Sequence, residues 1–209
     1  MRKLNIPDYD WVLVGELSKY ARTTSALYPW SSSRTGVSVF KNSVTDLLLK
    51  EQSNRCAYCG FEFREKHPAR DHIAPQGTYR QWMFRPENLV LACFFCNSEA
   101  KKQFDPIERQ ALFYRDSIFS FVHPYFDDPK DHIKFVGQGL KVLVSSAKSS
   151  AKGQKTIDLF ELTSTGASKQ RAKDVLGDWD EKSLKGKWRL LFQQVAFSLL
   201  TERLSMKLG

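Results

Sequence analysis

Two Cys-x-x-Cys pairs, Cys56/Cys59 and Cys93/Cys96, contain every cysteine of this 209-residue chain and constrain its fold more than any other feature. Each pair makes a short knuckle that presents two thiols to one point in space. Four thiolates in tetrahedral array are the ligand set of a structural zinc ion. With four protein ligands the coordination shell is closed, so such an ion holds structure and leaves no position for water or substrate. A finger of about fifty residues buries too little apolar surface to hold itself together, and zinc at its base then contributes folding free energy outright. The competing reading, two disulfides, requires an oxidising compartment. The N-terminus MRKLNIPDYDW has no apolar signal core, and no long apolar run occurs in the chain. The expectation is a cytoplasmic protein, with neither signal peptide nor membrane span, whose thiols stay reduced.

Between the knuckles lie Asp71-His72 and then Asn88, and Asn97 follows the second knuckle directly in CFFCN. His72 titrates near neutral pH, so its neutral imidazole can take a proton from an attacking water if a partner fixes its tautomer. Asp71 and Asn97 offer oxygen donors, which suit Mg²⁺ or Mn²⁺. In order and spacing these residues resemble the HNH endonuclease family. Its ββα-metal motif carries an Asp-His pair on a first strand, an Asn in the connection, and a His or Asn on the helix. The resemblance implies a nuclease in which His72 is the general base and Asp71 and Asn97 hold a catalytic divalent ion. It further implies that Asn88 pins the connecting loop to backbone, and that Lys101 and Lys102 contact phosphate. The flanking segments HPYFDDPKDHIKF and GQKTIDLFEL resemble, more narrowly, HNH nucleases of Septu-type bacterial defence loci, which implies an ATPase subunit as partner.

A formal charge of +9 and a pI near 9.4 point to an anionic partner, because neutralising phosphates with Lys and Arg releases counterions. A membrane surface is the competing anion, and because the excess is spread along the chain, an ordinary solvated surface is the bland alternative reading of the charge by itself. Hydrophobic residues at 42% suffice for a core and exclude a disordered chain.

The expected fold class is α+β: a mostly helical domain around a zinc-stabilised ββα-metal finger. Three segments follow, 1–54 helical, 55–105 the finger, and 106–209 helical with a small β-hairpin. Periodicity predicts helices from Asp8 to Ala21 (Trp11, Val14, Leu17 and Ala21 inward) and from Val37 to Gln52 (Val37, Phe40, Val44, Leu47, Leu48). Ala69 to Ala74 and Asn88 to Ala92 read as antiparallel strands, with a helix starting at Asn97. Further helices are predicted over Pro106 to Phe121, from Thr156, and over Leu184 to Leu204. Lys134 to Val144 suggests a hairpin broken at Gly137-Gln138-Gly139, and residues 145–155 a mobile Ser/Ala/Lys/Gly loop.

His67, His123 and His132 lack comparable framing and read as structural, as do Trp82, Phe84, Phe94 and Phe95, which otherwise are candidates for base stacking. The function expected is metal-dependent hydrolysis of phosphodiesters, with DNA favoured. The alternatives are a ribonuclease acting on structured RNA such as tRNA, or a non-catalytic zinc-ribbon module that binds nucleic acid or a protein partner. Such a module has no need of Asp71, His72 and Asn97.

Overall fold

The computed structural model describes residues 1–64, 68–136 and 141–177. It is α+β: helices with three separate two-stranded antiparallel sheets among the described residues. The chain forms two compact units, Met1–Pro129 and Lys130–Gly209. His67, the Gly137-Gln138-Gly139 break and the helix expected over Leu184 to Leu204 lie outside the described residues.

In the first unit, α1 (Trp11–Thr23) starts where Asp10 Oδ1 accepts hydrogen bonds from the backbone N–H groups of Val12 and Leu13, at 3.1 and 3.0 Å. That satisfies two of the donors a helix leaves open at its start. Val14, Leu17 and Ala21 are buried as the periodicity requires, but Trp11 is half exposed and stands edge-on to Tyr9. At the far end, Arg80 donates to the carbonyls of Ala21, Thr24 and Ala26, so one guanidinium gathers the free acceptors there and ties the helix to the loop after β1. In α2 (Thr35–Glu51), Val37, Phe40, Val44 and Leu48 are buried, and Leu47 is half-buried.

Strands β1 (Ala69–His72) and β2 (Leu89–Ala92) pair in the register Ala69↔Ala92 to His72↔Leu89. Every residue of β2 is buried, because α2 packs on this small sheet. Gln52, just past α2, reinforces the junction. Its side chain accepts from Leu91 N–H at 2.8 Å and donates to Leu91 C=O at 2.8 Å and to Arg55 C=O at 2.7 Å. The buried amide is thereby satisfied by backbone, which its burial demands.

The helix expected at Asn97 is present as π-helical winding over Phe95–Lys101, closed by Lys102 N–H on Asn97 C=O. Beyond it the expectation of a helix over Pro106 to Phe121 fails. The segment is a short hairpin, β3 (Ile107–Arg109) with β4 (Ile118–Phe119), joined through a 3₁₀ turn at Tyr114–Asp116. The supposed apolar stripe does not lie on one side: Leu112 and Phe113 are 87% and 63% exposed, while Tyr114 and Phe119 are buried. Burial of Tyr114, and not a 3.6-residue period, sets the local backbone.

In the second unit, after one helical turn at α3 (Pro129–His132), β5 (Ile133–Val136) and β6 (Leu143–Ser146) form the hairpin that alternation suggested. The supposed loop over 145–155 is a correction. Ser146 ends β6, Ser150 caps α4 (Ala151–Leu159) by accepting from Gly153 N–H, and the helix expected from Thr156 starts five residues earlier. Gly153 is needed there for space, since a Cβ would lie 2.0 Å from the carbonyl oxygen of His132. Low-complexity composition concealed a cap and a close backbone approach. Helix α5 (Thr165–Gly177) is the last described element.

Candidate active site

The four cysteine sulfurs lie within 4.8 Å of one another, with Cys59 and Cys93 Sγ at 3.9 Å. Zn–S bonds of about 2.3 Å in a tetrahedron require sulfur–sulfur edges of about 3.8 Å. The cluster therefore fits a tetrahedral metal ion with little rearrangement. The knuckles that bring it together are the turns Cys56–Cys59 and Cys93–Cys96; Cys56 N–H on Phe61 C=O closes the first, and Ala57 N–H on Leu91 C=O ties it to β2, which runs into the second.

A polar cleft of about 390 Å³ opens beside the end of β1, and its walls include Asp71, His72, Gln76, Asn97, Lys101 and Lys102. Five of the six residues nominated for chemistry or phosphate contact, Asp71, His72, Asn97, Lys101 and Lys102, thus share one depression, although they come from a strand and a π-helix more than twenty residues apart. Asn88 lies in the core beneath.

His72 is buried, with its ring 4.5 Å from that of Trp30 at 78°, an edge-to-face contact that fixes the ring plane. Its Nε2 lies 2.9 Å from the carbonyl oxygen of Met83. A carbonyl only accepts, so Nε2 carries the proton and Nδ1 keeps the lone pair. Burial lowers the pKa to about 4, with Lys101 and Lys41 adding to the effect against the Met83 hydrogen bond. The imidazole is therefore neutral near pH 7.

Asp71 has different surroundings. Its Oδ2 accepts from the Tyr58 hydroxyl, and its Oδ1 lies 3.2 Å from Lys101 Nζ, which also donates to His72 C=O at 2.8 Å. Burial raises the carboxyl pKa, opposed by the Lys101 charge and by the Tyr58 hydrogen bond. Lys101 is itself only 2% exposed, so it stands as the buried counter-ion of Asp71, while Lys102 is exposed at the cleft with φ of 49°, a strained value for a residue with a Cβ. Asn97 is half-buried and donates to Ser98 Oγ at 3.3 Å.

Asn88 spans the base of the loop between β1 and β2. Its Oδ1 accepts from Ala74 N–H at 2.7 Å, and its amide donates to Ala74 C=O and Trp82 C=O, both at 3.1 Å. Trp82 precedes the residue whose carbonyl orients His72.

Sequence reasoning missed Tyr58, although it sits inside the first knuckle, and Arg70, whose guanidinium reaches Thr45 Oγ1 at 2.6 Å and lines the cleft. No spacing rule marks either. Trp82 and Phe84 are buried as expected, whereas Phe94 and Phe95 are exposed on the second knuckle. In the second unit, His132 Nδ1 meets Ser150 Oγ at 2.7 Å.

No family model matches the chain. It is 26% identical over 193 residues to a Septu protein PtuB of Bacillus mycoides (strain KBAB4), a match covering 81% of this chain and 62% of that protein. It is 28% identical over 132 residues to a Septu protein PtuB of Bacillus thuringiensis, covering 62% of this chain and 45% of that one. The matches span less than two thirds of either relative's length. With a four-cysteine cluster built for a metal ion and a polar cleft beside it, the chain is similar at modest identity to proteins of the Septu PtuB name.

Proposed function

We propose that this protein is an HNH-type endonuclease that hydrolyses phosphodiester bonds of nucleic acid, DNA in preference to RNA, in bacterial defence against phage. One observation carries the reading: a buried histidine held as its Nε2–H tautomer by Met83 C=O, in the same cleft as a carboxylate and an amide oxygen. His72 Nδ1 takes a proton from a water molecule, whose oxygen attacks phosphorus as the bond from phosphorus to the leaving sugar oxygen breaks. Lys102 is the exposed cation available to the phosphate backbone; Lys101 acts on Asp71 and not on substrate.

Zinc at Cys56, Cys59, Cys93 and Cys96 holds the finger. The donors Asp71 and Asn97 fit a Mg²⁺ or Mn²⁺ ion, since such ions take one or two carboxylates and keep several waters. A divalent cation supplies charge neutralisation on the phosphate and the leaving oxygen. Asp71 Oδ1 already faces an ammonium at 3.2 Å, and Lys101 has to yield part of that contact for the carboxylate to serve as a ligand. That ion pair is the specific observation favouring the other reading, a zinc-ribbon binding module without catalysis. The relatives' names support a place in a Septu defence system; an ATPase subunit as partner and a cytoplasmic setting are part of the proposal and rest on the resemblance of the sequence alone. No helix among the described residues is long and apolar enough to cross a membrane.

Incubating the zinc-loaded protein with plasmid, single-stranded DNA and total tRNA, with and without Mg²⁺ or Mn²⁺, tests the proposal. Metal-dependent cleavage of a DNA substrate that is lost in His72→Asn is the expected result. Binding without cleavage of any substrate overturns the enzymatic reading, and cleavage confined to tRNA overturns the preference for DNA.

A further inference from the structure

Three buried polar side chains behind the cleft form a directed chain that ends on the loop orienting His72. His123 and Tyr114, from the stretch after the finger, are both fully buried. Tyr125 N–H donates to His123 Nδ1 at 3.2 Å, so Nδ1 holds the lone pair and the ring proton is on Nε2. Nε2 then donates to the Tyr114 hydroxyl at 3.0 Å, which passes its own proton to Asn88 Oδ1 at 2.9 Å. Asn88 donates in turn to Trp82 C=O, and the next carbonyl, of Met83, accepts from His72.

Direction and completeness distinguish this chain from incidental core polarity. Each donor meets an acceptor whose own proton points onward, and Asn88 has both amide protons and two acceptor sites engaged. Burying a histidine, a phenol and an amide costs desolvation that an aliphatic core would avoid, and a satisfied network returns it as a fixed arrangement. His123 is in turn clamped in place, its ring stacked on Phe126 at 4.1 Å and 6° and its N–H donating to Asp127 Oδ2. The Tyr114 ring also packs edge-on to Trp82 at 5.0 Å. The ring of Tyr114 therefore acts on the Trp82 side chain, and its hydroxyl acts through Asn88 on the Trp82 carbonyl.

Resting on the nuclease reading above, we propose that Tyr114 and His123 are positioning residues for the base, acting through Asn88 on the Trp82–Met83 peptide to keep His72 in its Nε2–H tautomer. They touch no substrate. A base displaced by about an ångström loses roughly a hundredfold in rate, so breaking the chain lowers kcat and leaves KM nearly unchanged.

The test compares zinc-loaded wild-type protein with Tyr114→Phe, His123→Leu and His123→Gln, reading the His72 tautomer by ¹⁵N NMR of the imidazole alongside cleavage kinetics. Wild type shows one tautomer with Nε2 protonated. In Tyr114→Phe and His123→Leu the His72 signal moves toward a tautomer mixture and kcat falls roughly 10- to 100-fold, while His123→Gln, whose amide still donates to Tyr114, recovers most of both. A folded Tyr114→Phe with an unshifted His72 tautomer overturns the proposal. Should Tyr114→Phe not fold, the His123 pair decides: identical tautomer behaviour in His123→Leu and His123→Gln overturns it as well. If wild type cleaves nothing yet the tautomer responds as stated, the nuclease reading falls and the coupling stands.

Discussion

The cysteine cluster and the cleft beside it lie on the same finger but are built in opposite ways. All four sulfurs come from two turns of four residues each, so their convergence needs little more than one strand pairing. The cleft's groups are placed by several separate elements: Tyr58 from the first knuckle and Lys101 from the π-helix hold Asp71, the Met83 carbonyl holds His72, and Trp30 from the N-terminal segment packs on its ring. A site whose ligands come from two turns alone is robust and tolerant of its surroundings. One assembled from many separate elements depends on the whole unit being folded, and the contrast can be tested by breaking each side.

The largest effect is expected at the cluster. Structural zinc contributes about 10–16 kcal/mol in small fingers, comparable with the roughly 5–15 kcal/mol that stabilises a whole domain. Cys56→Ser or prolonged chelation should therefore abolish cooperative unfolding of the first unit, read by circular dichroism on heating. A variant that keeps its melting transition without zinc would show that the cleft's packing alone holds the finger.

Next comes Lys101→Ala, which leaves Asp71 buried without its counter-ion, with the Tyr58 hydroxyl and the His72 backbone N–H as its hydrogen-bond partners. Removing one member of a buried ion pair costs about 3–5 kcal/mol, measured as a loss in urea midpoint. Lys101→Ala together with Asp71→Asn should recover much of it. If the double variant is no more stable than the single one, the pair is not what the structure makes of it.

On the nuclease reading, His72→Asn removes the proposed base, and cleavage should drop about 10²- to 10⁴-fold at unchanged zinc content. The same variant isolates a pH effect. His72 has a folded pKa of about 4 against an ordinary 6.5, so below 6.5 the unfolded chain takes the proton first. That contribution to stability is complete above 6.5 and lost as pH falls through 4, and the wild-type minus His72→Asn difference should follow that window. Asp71, with its carboxyl raised by burial, has the opposite sign and is common to both proteins. The acid limb of the activity profile should likewise lie well below that of an ordinary histidine.

The smallest effect is at the cleft's rim. Lys102→Ala should leave stability within about half a kcal/mol and reduce the salt dependence of DNA binding by about one phosphate contact. A larger loss would place Lys102 closer to the reaction.

Much of the finger was legible in the sequence because local rules suffice for it. Cys-x-x-Cys turns announce themselves, and the strands expected over Ala69 to Ala74 and Asn88 to Ala92 pair antiparallel as Ala69–His72 with Leu89–Ala92. The role of Lys101 was not legible. A lysine on a polar stretch reads as solvated until the fold puts a carboxylate 3.2 Å from it. Nor was the β3–β4 hairpin: Ile107, Leu112, Phe113 and Phe119 mimic a helical stripe, and only the demand of the core for Tyr114 overrules it. His123 was assigned a structural role for want of neighbours in sequence, and its partners come from Tyr114 and Tyr125, which no spacing pattern marks.

Gln52 has a consequence outside the chemistry. A two-stranded sheet normally leaves its outer strand with bare N–H and C=O groups, a template for pairing with another chain and so for aggregation. Along the outer side of β2, Leu91 N–H and C=O are occupied by the Gln52 side chain, with Ala57 N–H adding to the carbonyl, and Leu89 C=O is occupied by the Tyr125 hydroxyl at 2.6 Å. An amide, a backbone N–H and a phenol stand in for a third strand, and an all-apolar strand that would otherwise recruit a neighbour in a crowded cell is closed to it.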